Sequence, residues 1–227
     1  MNPAVVTIDG PSGAGKGTIS RALAGRLGWH LLDSGALYRL VAFAGLQQGL
    51  AADDRAGHTR LAQALDSRFG ARADGTELIE LQGVDVTQGI RSEASGMGAS
   101  RIAAWPELRS ALLARQQAFA QPPGLVADGR DMGTVVFPTA PLKIFLMATP
   151  EERALRRYKQ LKGKDSGVSL AALSREIAAR DRRDATRPVA PLVPAGDAVV
   201  IDSTGLSVAE VVERVWRLGG ERGLWQK

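Results

Sequence analysis

The stretch Val5-Val6-Thr7-Ile8-Asp9-Gly10-Pro11-Ser12-Gly13-Ala14-Gly15-Lys16-Gly17-Thr18 carries residue types whose order suits the binding of a polyphosphate. A β-branched run leads into a glycine-rich turn, then a lysine, then a hydroxyl. Glycines let the backbone bend tightly enough to aim successive N–H groups at one anion. A helix starting near Lys16 adds the positive end of its dipole. Lys16 offers a mobile cation and Thr18 an oxygen for Mg²⁺. Gly10, Pro11, Ser12, Gly13, Ala14, Gly15, Lys16, Gly17 and Thr18 are the expected triphosphate cradle.

The spacing excludes a dinucleotide fingerprint. Gly13, Gly15 and Gly17 recur at intervals of two, and position 18 is Thr, so G-x-G-x-x-G is not met. Gly17 also stands between Lys16 and the hydroxyl, where the plain phosphate-loop pattern has none. The spelling Gly-Lys-Gly-Thr resembles nucleoside monophosphate kinases rather than GTPases or motor ATPases.

What positions such a loop is an alternation of strands and helices. A first helix is expected over Gly17–Leu27, with Ile19, Ala22, Leu23, Arg26 and Leu27 on one stripe, and a second from about Gly35. Residues Asp66–Thr87 change character and read as three short strands, Ser67–Arg72, Thr76–Leu81 and Val84–Val86, turning at Asp74-Gly75 and Gln82-Gly83. An antiparallel meander is foreign to a parallel repeat, so it reads as an insertion. Helical pattern returns over Glu93–Ala120, with Pro106 as a break or first turn. Apolar strands are expected at Gly124–Asp128, Leu142–Ala148 and Ala198–Asp202. Helices are expected at Pro150–Leu161, Ser169–Asp184 and Ser207–Leu218, the last with Val208, Val211, Val212 and Val215 inward. The fold class is α/β: a three-layer fold with a central, mostly parallel sheet covered on both faces.

At 227 residues the chain suits one domain. It has no cysteine, which excludes disulfides and thiolate-bound metals, and its two histidines, His30 and His58, fall in no metal spacing. No apolar run approaches the ~20 residues that span a bilayer. The opening strand leaves no evident signal peptide, so a soluble cytoplasmic protein is expected. The net charge of +5 is interspersed with acids, as in Arg180-Asp181-Arg182-Arg183-Asp184, rather than gathered in a basic tract with aromatics. That pattern suits small anionic ligands better than nucleic acid.

Three observations narrow the nucleotide chemistry. The only asparagine is Asn2, so guanine cannot be read through an Asn-Lys-x-Asp loop. The strand ending at Asp128 is followed by Gly129, so the Asp-Glu pair that polarises water for hydrolysis is missing. Arginines recur instead, at Arg39, Arg109, Arg130, Arg153, Arg156, Arg157, Arg180 and Arg187. Transfer to a phosphorylated acceptor needs such cations. Asp128, at the carboxyl edge of the sheet, is placed to orient a water on Mg²⁺.

The segments Asp33-Ser34-Gly35-Ala36-Leu37-Tyr38-Arg39, Ala127-Asp128-Gly129-Arg130-Asp131-Met132-Gly133-Thr134-Val135-Val136-Phe137-Pro138 and Arg180-Asp181-Arg182-Arg183-Asp184-Ala185-Thr186-Arg187 resemble the bacterial cytidylate kinase family. With the phosphate loop they span nearly the whole chain. The resemblance implies transfer of the γ-phosphoryl group of ATP to CMP or dCMP, with Mg²⁺. It implies one kinase domain over 1–227, an inserted monophosphate-binding subdomain at about 60–95 and a short lid at about 151–168. A monomer is expected. By the same resemblance Arg39 and Arg130 hold the acceptor phosphate. Ser34, Ser100, Arg109, Asp131 and Arg187 surround cytosine, and Arg180 and Asp184 reach the sugar. Arg153 and Arg157 are lid arginines near the transferring group. Tyr38 packs against the base or lines the site.

The residue chemistry agrees. Arginine matches phosphate bidentately, where lysine is a point charge. Cytosine presents a 4-amino donor and an N3 acceptor, which a carboxylate such as Asp131 and an arginine complement. Uracil reverses both, and mismatches at buried polar groups give large discrimination. The acceptor phosphate is already ionised, so no general base is required. A shikimate-type small-molecule kinase, a kinase for UMP or AMP, and a non-enzymatic RNA-binding module remain alternatives at this point. So does a plainer reading of Ser34 as a helix cap and of Arg180–Asp184 as an i, i+4 pair.

Overall fold

A computed structural model describes residues 3–74, 76–161 and 169–225. The chain divides into two compact units, one formed by residues 1–33 and 116–227 and the other by residues 34–115.

The first unit is built on five strands: β1 (Ala4–Asp9), β2 (His30–Asp33), β6 (Gly124–Gly129), β7 (Leu142–Met147) and β8 (Val199–Asp202). They run in the order β2-β6-β1-β7-β8, and every pairing is parallel. β1 and β6 are nearly all buried, as strands covered on both faces must be. In register, Ile8 lies beside Asp128, Asp9 beside Gly129, and Asp33 beside Asp128. The carboxyl edge of the three neighbouring strands therefore gathers Asp9, Asp33 and Asp128, where ligand crevices of open parallel sheets form.

Helices α1 (Lys16–Leu27), α6 (Pro150–Leu161), α7 (Leu170–Thr186) and α8 (Val208–Glu221) complete this unit. Ile19 and Leu23 of α1 join Val6, Ile8, Val126, Ile144, Leu146 and Val215 in one core, each such side chain adding ~1.5–3 kcal/mol by burial. The buried stripe of α1 is not quite the expected one. Ser20 and Ala24 are inside while Ala22 is exposed, because the face toward β6 starts at Lys16 itself. On α8, Val211, Val212 and Val215 are buried, whereas Val208, expected inward, is exposed at the first turn. That turn is fixed instead by a capping box between Ser207 and Glu210.

The second unit holds α2 (Ser34–Gln47), α3 (Arg55–Gln63), α4 (Glu93–Ile102) and most of α5 (Pro106–Gln117). Within it lies the antiparallel meander of β3 (Ser67–Ala71), β4 (Glu77–Leu81) and β5 (Val84–Asp85). Gln82 and Gly83 both take positive φ, 51° and 76°, the combination a tight two-residue hairpin turn demands. Pro106 is the first residue of α5, where its missing N–H costs nothing. Leu37, Leu40, Val41, Ile79, Ile90, Ile102, Leu108 and Leu112 are among its most deeply buried side chains. β2 and α3 had no counterpart in the sequence reading. Of the lid expected over 151–168, residues through Leu161 are regular helix, and 162–168 lie outside the described residues.

Candidate functional site

The loop from Gly10 to Gly15 joins β1 to α1. Gly10 has φ 147°, and a Cβ there would lie 2.0 Å from the backbone oxygen of Leu146. Only glycine fits. Gly17, the residue foreign to the plain loop pattern, faces a side chain: a Cβ would stand 3.3 Å from Asp128 Oδ2. The insertion therefore clears space for the carboxylate at the end of β6.

The carbonyls of the loop are held from outside. Lys16 Nζ donates to Pro11 O at 3.0 Å. Arg153 Nη1 donates to Ser12 O at 3.0 Å, and Arg156 Nη1 to Ala14 O at 3.1 Å. Ser203 Oγ also lies 3.1 Å from Ala14 O. Carbonyls tied in this way turn the intervening N–H groups toward the anion side. Arg153 and Arg156 reach the loop from one face of α6. Arg153 is nearly fully buried, and its remaining bonds go to Ala148 O and to Asp181, 2.6 Å away. Expected near the transferring group, it is occupied here as a brace of the loop. Arg156 is further tied to Ser203 O at 2.7 Å and to Glu152 at 2.8 Å. Arg157 is half-buried on the same helix.

Lys16 Nζ and Asp128 Oδ1 are 3.9 Å apart, and both groups are buried. Burial lowers the Lys16 ammonium, and Arg130 lowers it further, against the pull of Asp128. Burial raises the Asp128 carboxyl, opposed by Lys16 and reinforced by Asp33. Thr18 is exposed at the start of α1. A hydroxyl and a carboxylate are hard oxygen donors, and two such groups with phosphate and water suit Mg²⁺. Among the described residues there is no cluster of three or more His, Cys, Asp or Glu that would hold a metal unaided.

The same unit brings four other expected residues together in pairs. Arg130 Nε donates to Asp184 Oδ2 at 3.0 Å. Burial pushes Asp184 up, but Arg130, Arg180 and Arg187 together outweigh it and hold the carboxyl below its ordinary range. Arg187 Nη2 lies 3.9 Å from Asp131 Oδ1, both residues being buried. The proline-containing connector sets Arg187, whose Nε donates to Ala190 O at 2.5 Å, while Leu192 N–H donates to Asp184 O at 2.8 Å. Arg180 Nη1 reaches Ser12 Oγ of the phosphate loop at 3.4 Å.

In the second unit, α2 starts at Ser34 and carries the buried Tyr38 and then Arg39. Arg39 Nη1 donates to Ile90 O at 3.0 Å and Ser92 O at 3.3 Å, beside Gly96. Arg109 on α5 donates to Ala103 O at 3.1 Å, and its guanidinium carbon lies 5.9 Å from the Tyr38 ring centre. Ser100 is buried on α4. Asp9 and Ser203 had no part in the sequence reading. Asp9 adjoins the loop motif and could have been suspected, whereas nothing local marks Ser203.

The family model for cytidylate kinase matches residues 6–219. A cytidylate kinase from Stutzerimonas stutzeri is 58% identical over 221 residues, covering 97% of this chain and 96% of that protein. One from Pseudomonas fluorescens (strain Pf0-1) is 60% identical over 212 residues, 93% of each. A shikimate kinase structure from Acinetobacter baumannii is similar at 16% identity and a TM-score of 0.43, over 95% of this chain and 92% of that one. Likeness at that level does not distinguish acceptors.

Proposed function

The chain belongs to the cytidylate kinase family, and on that premise we propose how its residues divide the reaction. The enzyme is a phosphotransferase that moves the γ-phosphoryl group of ATP to CMP and dCMP, giving CDP and dCDP. Gly10–Thr18 cradle the ATP phosphates through backbone N–H groups, and Lys16 neutralises charge on the group in transit. Thr18 would hold Mg²⁺ directly and Asp128 through water. Held by these two residues, the ion would supply positive charge to offset that of the phosphate oxygens. Arg130 and Arg39 take the acceptor phosphate. Asp131 accepts from the cytosine amino group while Arg187 donates to its N3 and O2 side. Ser34, Tyr38, Ser100 and Arg109 are also assigned to the base.

Arg180 and Asp184 are assigned to the sugar, with Arg180's contact to Ser12 linking that role to the loop. Arg157 is assigned to the transferring group, and Arg153 to loop bracing as well as the lid. The meander belongs to the CMP-binding insertion of about 60–95, and α6 opens the lid of about 151–168. The interspersed charges support small anionic ligands rather than nucleic acid, and we infer a monomer. No helix among the described residues is long and apolar enough to cross a membrane, which is compatible with the cytoplasmic site we infer.

The observation that supports the base assignment is the buried Asp131–Arg187 pair, a carboxylate acceptor and a guanidinium donor 3.9 Å apart. A coupled ADP-release assay with CMP, dCMP, UMP, AMP and shikimate tests it. CMP and dCMP should exceed UMP and AMP in kcat/KM by about 100-fold or more, the scale of a buried polar mismatch. Equal use of UMP would overturn the assignment.

A further inference from the structure

Asp9 closes β1, one residue before the loop begins. A carboxylate only 5% exposed at the end of a central strand is costly unless both oxygens find donors. Both do. Oδ1 accepts from the Met132 N–H and Oδ2 from the Gly133 N–H, each at 2.8 Å. These are the first two amides of the π-helical turn Met132–Val136, the kind of group that a helix start leaves without an internal partner.

Ordinarily the residue just before such a turn caps it with its own side chain, and aspartate is among the best at this. Here that residue is Asp131. Its backbone oxygen accepts from Val135 and Val136, yet its side chain makes no capping bond. Asp9 does the capping from another strand. The turn has little slack to move away from it. A Cβ on Gly133 would lie 2.9 Å from Thr7 Oγ1 and 3.1 Å from Lys143 Cδ. Lys143 Nζ pins the far end of the segment through Pro138 O at 2.6 Å.

We propose that Asp9 is a positioning residue for acceptor discrimination: by capping the turn after Asp131, it frees the Asp131 carboxylate from that task and keeps it toward Arg187. The inference rests on the reading of Asp131 as the base-reading acid. Burial raises the Asp9 carboxyl to about 6 against the pull of the two amides, so it is ionised, and able to accept both bonds, at neutral pH.

The test measures kcat/KM for CMP and UMP in the wild type, Asp9→Asn, Asp131→Ala and the double variant, with the KM for ATP alongside. Asparagine keeps the shape but sets an NH₂ against a backbone N–H, so Asp131 should be drawn back to cap the turn. The CMP:UMP preference should fall about tenfold in Asp9→Asn, the scale of one hydrogen bond to a charged group. The double variant should fall no further than Asp131→Ala, because both changes act through one carboxylate. The KM for ATP should stay within about twofold of the wild type, as binding untouched by the change does. A narrowed ratio in Asp131→Ala with an unchanged one in Asp9→Asn, or additive losses in the double variant, would overturn the role of Asp9. An unchanged ratio in Asp131→Ala would overturn the reading of Asp131 itself. If Asp9→Asn does not fold, Asp9→Glu keeps both acceptors and shifts the turn by a methylene. It must narrow the ratio too, and an unchanged ratio there also overturns the proposal.

Discussion

Two turns leave the carboxyl edge of the same parallel sheet and use their backbones in opposite ways. After β1, the loop Gly10–Gly15 has its carbonyls tied by Lys16, Arg153, Arg156 and Ser203, and it leads into a twelve-residue helix. Its amides are what it offers to a ligand. After β6, the turn Met132–Val136 has its first two amides taken by Asp9, and what it offers is the side chains of Arg130 and Asp131. On the assignments we propose, the difference follows from the ligands. A triphosphate presents the same oxygens whatever base it carries, so a backbone cradle and a helix dipole suffice. A base must be distinguished by the order of its donors and acceptors, which needs side chains of chosen type.

The contrast predicts different failures. Lys16→Ala removes the cation that ties the loop and that we assign to the phosphoryl group, and should lower kcat/KM by about 1,000-fold, as loss of a transition-state donor does. Single-turnover assays should place the loss in the chemical step, with the CMP:UMP ratio unmoved. Arg156→Ala removes the charged one of two ties on the Ala14 carbonyl, leaving Ser203, and should raise the KM for ATP about tenfold, in line with a lost charge-assisted bond. The KM for CMP should hardly change, and an equal rise in both would blur the division between the turns.

A separate effect is a difference in stability with pH. Burial, countered by the Met132 and Gly133 amides and by Lys16 and seconded by Asp131, holds Asp9 at about 6 in the fold, above its ordinary value of 3.8. A carboxyl raised in the fold is most favourable when protonated. Its contribution is complete below about pH 4 and lost as pH rises through 6. Relative to wild type, Asp9→Asn should therefore gain up to about 3 kcal/mol between pH 4 and pH 7 in denaturant melts. A difference that is flat with pH would show that Asp9 does not titrate as described.

Much of this was legible in the chain. The phosphate loop, the meander with its turn at Gln82-Gly83 and the start of α5 at Pro106 rest on local chemistry that glycine, proline and alternation spell out. β2 was not legible, because His30–Asp33 is too short to show a period and owes its conformation to β6. The turn after Asp131 was missed for a related reason. Thr134, Val135 and Val136 are β-branched and poor helix formers, and the turn stands because Asp9 caps it from a strand distant in sequence. The buried role of Arg153 was hidden likewise. Ser12 O and Asp181 meet it only once α6 and α7 are in place. Side chains whose work depends on distant partners leave no periodic trace.

The strand order has a consequence for how the chain reaches this state. β1 is central, and its neighbours are β6 and β7, with Ala4 beside Gly124 and Val6 beside Leu142. During synthesis the Val5–Ile8 run therefore waits for partners while the whole of 34–115 is made. The segment 34–115, whose meander pairs within a few residues of its turns, has no such delay. Non-local parallel pairing is slow, and an unpaired β-branched strand invites intermolecular pairing while it waits. A segment that ends as one of the most buried strands of the enzyme is thus exposed to wrong pairing until β6 and β7 are made.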